Sequence, residues 1–253
     1  MDIRYITCSD LREDIPHSFA IDLLRMGLNI ELGIQAHPSA MSHGMPRNTW
    51  LNGLLDISKK LPDPLNIAIH VNYQWCSLMC DGYLPPEIAE WFYTEDPKTK
   101  KPLIKRWQLN IGDGTSIFNA NNLSKIIKKH PNREFILPVN NRPAVQKAVQ
   151  ELNDTGAQFS LLYDSSYGVG KSPDTWLPPA YPNHAQGYAG GLGPENITEN
   201  LEKISAQLPD DYATWIDAEG KLMIPGTREF DINRARGYVN GALNWMRNNA
   251  KVK

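Results

Sequence analysis

The chain has 253 residues, a formal net charge of -2, 21% charged residues and three cysteines. That length suits one α/β barrel, the near-neutral charge gives no pull towards nucleic acid or a membrane surface, and no run of about 20 apolar residues is present to span a bilayer. A small, odd cysteine count argues against a disulfide framework. The opening MDIRYITCSD lacks the basic-then-apolar pattern of a leader, so a cytoplasmic protein is expected.

In chain order, IRYITC from Ile3 reads as the first strand. SFAIDLLRMG follows as a helix, with Ser18 as its cap and Gly27 as its stop. IELGIQ from Ile30 is the second strand, followed by the loop AHPSAMSHGMPR with His37, His43 and Arg47. NTWLNGLLDISKKL then carries Trp50, Leu54 and Leu55 on one helical face. LNIAIHV from Leu65 is the third strand and leads to His70, Asn72 and Cys76. PPEIAEWF is helical, and TEDPKTKKP is an insertion before the fourth strand, RWQLNI from Arg106, which ends near Asn110 and Asp113. LSKIIKKH, the fifth strand EFILPV, and RPAVQKAVQELN with Pro143 in its first turn continue the alternation. FSLLYD from Phe159 is the sixth strand and ends in Asp164. The proline-rich SPDTWLPPAYPNH after it is expected to hold no regular helix. GYAGGLG is the seventh strand, ITENLEKISAQL a helix, ATWIDAEG the eighth strand, and DINRARGYVNGALNWMRNNA the closing helix.

Eight apolar runs, each continuous rather than strictly alternating, suit strands covered on both faces. With helices between nearly all of them, they predict a single (β/α)₈ TIM barrel over residues 1–253; an open doubly wound sheet is the competitor. Chemistry in a barrel belongs at the C-terminal strand ends. Cys8 ends the first strand and Asp164 the sixth, so a thiol and a carboxyl facing one another could work as base and acid, provided that the site shifts their pKa values towards neutrality. The plain alternatives are a buried thiol and a turn-capping aspartate. Gly190 and Gly191, followed by Pro-Glu-Asn at a helix start, would let backbone N–H groups approach an anion closely. Cys76 and Cys80, four residues apart near His70, match no usual zinc spacing, so neither a metal nor a cofactor is expected. Trp75, Tyr83, Trp91, Phe92 and Tyr93 read as helix-to-barrel packing, and His37 and His43 as a polar lid.

AGGLGPENI resembles the seventh-strand phosphate loop of the phosphoribosylanthranilate isomerase family, the Amadori isomerases of tryptophan biosynthesis. LLYDSSYGVGKSPDTW is similar to that family's sixth-strand Leu-Leu-Asp-Ser, Gly-Gly-Thr-Gly and Phe-Asp-Trp sequence. YITCSD stands at the first-strand Lys-Ile-Cys-Gly, MPRNTW at the Ser-Pro-Arg after the second strand, and WQLNIGD at the fourth-strand Val-Gln-Leu-His-Gly. The resemblance implies a TIM barrel of the ribulose-phosphate-binding type and a cofactor-independent aminoaldose-to-aminoketose isomerisation. In it Cys8 would be the base, Asp164 the acid, Arg47 the partner of the substrate carboxylate, and Gly190, Gly191 and Gly220 a phosphate cradle.

The pattern also departs from the family. Tyr167 adds bulk in YGVG, Asn110 replaces a His, and the eighth strand reads IDAEGKLM where the family has Ser-Ser-Gly. A carboxylate about 5 Å from a phosphate, at an effective dielectric of about 20, costs on the order of 3 kcal/mol. Glu219 therefore points to a substrate that lacks the phosphate or carries it elsewhere, with Asp217 and Glu219 holding hydroxyls. An epimerase or lyase acting on an unphosphorylated sugar or sugar acid, or a non-catalytic sugar-binding relative, are the alternatives. The expected partner is a small sugar or sugar phosphate, with no nucleic acid or membrane, and the expected state is a monomer or homodimer.

Overall fold

The computed structural model describes residues 1–112, 117–164 and 171–249. In order these form β1 (Asp2–Ser9), α1 (His17–Leu24), β2 (Ile30–Ala36), α2 (Pro38–Met41), α3 (Pro46–Ser58), β3 (Ile67–Val71), α4 (Tyr73–Cys80), α5 (Pro86–Tyr93), β4 (Arg106–Leu109) and α6 (Ala120–Lys129). Then come β5 (Glu134–Val139), α7 (Pro143–Asp154), β6 (Ser160–Asp164), β7 (Gln186–Ala189), α8 (Ile197–Ser205), β8 (Ala213–Ala218) and α9 (Ile232–Asn249). All eight strands are parallel and close in sequence order, β1 pairing with β8. The chain is a (β/α)₈ TIM barrel. Among the described residues no helix is long and apolar enough to cross a membrane.

The two faces of the strands have different chemistry. The outer face is apolar: Leu32, Ile34, Ile69, Val71, Trp107, Leu109, Phe135 and Leu137 are buried against the helices. Trp75, Trp91 and Phe92 join that layer, with Phe92 packed on Trp107 at 5.1 Å, whereas Tyr83 and Tyr93 stay exposed. The inner face is polar over much of its height. Thr7 Oγ1 donates to Glu31 at 2.8 Å, and Arg106 reaches Glu31 and Glu134 between the rings of Tyr5 and Trp215. Gly187 makes this possible, because a Cβ there would lie 2.1 Å from the Trp215 ring.

Local signals explain most boundaries. Prolines open α2, α3, α5 and α7, where a missing N–H costs nothing. Asn119 caps α6 by accepting from the Asn122 N–H at 3.1 Å. Ser18 is no cap: α1 starts one residue earlier, after Pro16, and no side chain caps it. No helix stands between Lys171 and β7, as the prolines imply. The helix α4 over Cys76 and Cys80 is an addition to the expected set.

Candidate functional site

The C-terminal strand ends surround an open cavity of about 580 Å³. Its floor is built by inward-facing residues of β1, β2, β3 and β8. Ser9 Oγ donates to Asp217 Oδ1 at 2.6 Å, and His70 Nε2 lies 3.9 Å from Asp217 Oδ2. The three meet because β2 carries Gly33 between them. A Cβ at Gly33 would lie 2.3 Å from Ser9 Oγ and 2.9 Å from the His70 ring. Burial, against the Ser9 hydrogen bond and with the charges of Glu219 and Glu31, pushes Asp217 up to about 8. Burial and the nearby Arg106 charge bring His70 down to about 3. At neutral pH the floor is therefore a neutral carboxyl beside a neutral imidazole, which avoids the desolvation cost of a buried ion pair.

Glu219 stands above the floor with its side chain open to the cavity. Its Oε2 accepts from Gln35 Nε2 at 2.9 Å. Enclosure by the barrel mouth and the charge of Asp10 push its carboxyl up to about 7, Asp164 adding to the rise while Gln35 and Arg12 oppose it. Asp10 follows β1 with a φ of 65°, a left-handed backbone unusual for aspartate, and its carboxylate is gripped by Arg12. Asp164 lines the same cavity from the end of β6. Tyr73 at the rim has a φ of 51° and packs edge-on against His37 at 5.6 Å. Strained, non-glycine backbone thus gathers at this mouth.

The β7 end of the cavity has anion chemistry. Gly190 and Gly191 adopt φ values of 114° and 64°, which favour glycine. Asn196, just before α8, ties this loop down: Oδ1 accepts the Gly193 N–H at 2.9 Å and Nδ2 donates to the Gly191 carbonyl at 2.9 Å. Gly220, Lys221 and Arg228 also line the cavity, and a Cβ at Gly193 would lie 2.6 Å from Lys221. The tip of Glu219 is held across β1 towards Gln35 on β2. Arg47 lines the cavity opposite, with Nε donating to Glu13 at 2.7 Å.

Cys8 does not belong to the site. It is fully buried, and its register partners are Leu32 and Ala218, both in the apolar outer layer. Burial, and then the charge of Asp217, raise its thiol far above the ordinary value. The reason is parity. Side chains alternate along a strand, so Thr7 and Ser9 face the bore and Cys8 faces the helices. The alternative reading, a buried thiol, is the one realised. The pairing of Cys8 with Asp164 across the mouth is thereby removed, while Arg47, Asp164, Gly190, Gly191, Asp217, Glu219 and Gly220 all line one cavity.

Cys76 and Cys80 are buried in α4 with sulfurs 4.0 Å apart, and no cluster of metal-binding side chains occurs among the described residues. His37 lines the cavity, while His43 turns to Glu90 and Glu87 of α5. Asp113, Tyr167, Gly168 and Gly170 lie outside the described residues. Asp10, Arg12 and Gln35, which line the cavity, and Ser9, which holds Asp217 beneath it, are positions that the sequence reading did not single out for the site. Ser9 and Gln35 sit at strand ends with inward parity, a signal available in the sequence. Asp10 has no such signal.

No protein-family model and no curated protein sequence matches the chain. Its fold is similar to 3-hexulose-6-phosphate synthase from Salmonella typhimurium, at 11% identity over 95% of this chain and 99% of that one, with a TM-score of 0.50. It is similar also to the glycoside hydrolase family 30 subfamily 8 xylanase from Clostridium acetobutylicum, at 14% identity over 95% of this chain and 71% of that one, with a TM-score of 0.50. Both are enzymes by name, and at these identities the likeness shows the fold alone.

Proposed function

We propose that the protein is an enzyme that moves a proton between adjacent carbons of a sugar bearing an anionic group, an aldose-to-ketose type of isomerisation. The observation that carries this reading is Glu219, a carboxyl poised near pH 7 in an open cavity beside Asp164. A group that titrates near the working pH is suited to both taking and returning a proton. Glu219 takes the role of base that Cys8 was expected to play, and Asp164 remains the acid that assists ring opening. The charged end of the substrate lies against Gly190, Gly191, Lys221 and Arg228, which bring glycine backbone and two cations to the cavity lining. Asn72, Asn110 and Asn140 on the opposite wall suit a row of hydroxyls.

The test is turnover of a panel of aldose phosphates together with phosphoribosylanthranilate made in situ and followed by its loss of fluorescence. Glu219→Gln and Asp164→Asn are each expected to lower kcat by roughly 10²–10⁴-fold. Cys8→Ala is expected to leave it within about twofold, since that side chain touches nothing in the cavity. Turnover that survives Glu219→Gln, or that is lost on Cys8→Ala in folded protein, would overturn the assignment.

A further inference from the structure

Five side chains form one hydrogen-bonded chain across the cavity wall. Gln108 Nε2 donates to Asn110 Oδ1 at 2.9 Å, and Asn110 Nδ2 donates to Asn72 Oδ1 at 2.9 Å. Asn72 Nδ2 donates to Gln35 Oε1 at 2.6 Å, and Gln35 Nε2 donates to Glu219 Oε2 at 2.9 Å. The chain starts on β4, passes the ends of β3 and β2, and crosses β1 to reach the residue after β8.

Every step runs in the same direction, and the chemistry of two acceptors fixes it. An ionised carboxylate can only accept, so Gln35 must turn its NH₂ towards Glu219 and its oxygen towards Asn72. The His70 backbone carbonyl can also only accept, and it takes Asn72 Nδ2 at 2.8 Å. Both anchors demand the same orientation of Asn72. Rotating one amide would set oxygen against oxygen on one side and NH₂ against NH₂ on the other. The four amides therefore hold one another, and successive donors polarise the next along the line.

We propose that Gln35, Asn72, Asn110 and Gln108 are positioning residues for Glu219, a one-way amide chain that fixes one of its carboxylate oxygens and keeps the other turned to the substrate. This rests on Glu219 as the working carboxylate in the reading above. The chain is absent from the resemblance drawn from sequence, and its members come from three separate strand ends. Its effect on the carboxylate, exerted through Gln35, opposes that of burial, Asp10 and Asp164, and adds to that of Arg12. Those charged groups stay in place in each variant below.

The experiment is a pH titration of the Glu219 side-chain carboxyl by ¹³C NMR, with the resonance assigned through its loss in Glu219→Gln. Gln35→Leu removes the last donor, and its midpoint is expected to rise by about one pH unit, a tenfold weaker acid. Asn72→Leu and Asn110→Ala touch no atom of Glu219, yet each is expected to raise the midpoint, Asn110→Ala by roughly twofold in acidity. Asn110 is half-buried at the rim, so Asn110→Ala carries the test even where Asn72→Leu fails to fold. A midpoint unmoved by Asn110→Ala, in protein with an unchanged melting curve, would reduce the amides to local strand cross-links and overturn the proposal. The titration needs no substrate. The expected midpoints without turnover of any sugar would remove the isomerase reading and leave the chain standing.

Discussion

The bore of this barrel contains two groups of acids, and only one of them is built around a shared arginine. At the lower end, Glu31 and Glu134 share Arg106, with Arg4 on Glu134 at 3.3 Å and the rings of Tyr5 and Trp215 within 4.5 Å of the Arg106 guanidinium carbon. Hydroxyls of Thr7 and Ser160 complete the carboxylate shells at 2.8 and 2.6 Å. Burial still raises Glu31, but Arg106, Ser160 and Arg4 together outweigh it for Glu134 and hold that carboxyl below its ordinary value. At the upper end, Asp10, Asp164, Asp217 and Glu219 face one another, and Arg12 is committed to Asp10. There Asp217 and Glu219 rise to about 8 and 7. Opposing charge outweighs burial at Glu134, where the bore is closed, and does not outweigh it at Asp217 and Glu219, where the bore opens to the cavity. Carboxyls with raised pKa values are costly to retain, and they concentrate where proton transfer is needed.

The comparison breaks most visibly at Asp217. An unfolded aspartate loses its proton near pH 4, while the folded one keeps it to about 8. Between those values the folded state binds more protons than the unfolded state, so this group makes stability fall as pH rises from about 4 to about 8. Asp217→Asn removes that dependence while keeping an acceptor for Ser9. Roughly four pH units at about 1.36 kcal/mol each set an upper bound near 5 kcal/mol on the relative gain at pH 8 over pH 4. Urea unfolding of wild type and variant at both pH values measures it. Equal pH dependence in the two proteins would mean that Asp217 is ionised when folded, and the contrast between the two ends would disappear.

Arg106 tests the lower end. Arg106→Met leaves Glu31 and Glu134 buried without their main partner, and an expected loss of about 3–5 kcal/mol follows from stranding a buried charge. Adding Glu31→Gln and Glu134→Gln to that variant should recover most of the loss, because the stranded charges are gone. The same urea experiment reads both. A loss below about 1 kcal/mol for Arg106→Met would show that the lower cluster is loosely solvated and that the ends do not differ in kind.

Periodicity accounts for how much of this could be read in advance. Eight apolar runs separated by helical patterns define the barrel, and the strand ends at Asp164, Asp217 and Glu219 all reach the cavity. Those features are local, and local pattern carries them. Cys8 shows the limit: a strand end says that a residue is at the mouth, but one step of register decides whether it faces the bore or the helices. The bulge between Ile3 and Tyr5 shifts the β1–β8 pairing, and nothing in IRYITC announces it. The amide chain was less legible still. Gln35, Asn72 and Asn110 are each ordinary polar residues at a strand end; the pairing of three neighbouring strands brings them into one line, and closure of the barrel brings that line to Glu219. Arg12 and Asp10 depend on a left-handed backbone at Asp10 for which the sequence offers no glycine.

The smallest effect is expected at Cys8, and it separates the barrel's two faces most cleanly. The thiol is enclosed between Leu32, Ala218 and the helix layer, so Cys8→Ala removes a small buried group and leaves a small void. That costs about 1 kcal/mol, or a melting temperature lower by roughly 2–4 °C for a chain of this size. The loss should be the same at pH 5 and pH 8, because the thiol stays protonated across that range in the folded protein. It should also leave the ¹³C titration of Glu219 unmoved, since no hydrogen bond or cavity wall connects the two. A Glu219 midpoint displaced by Cys8→Ala would mean that the outer face of β1 communicates with the mouth, and the inward parity of Ser9 would no longer be enough to explain which β1 residue serves the site.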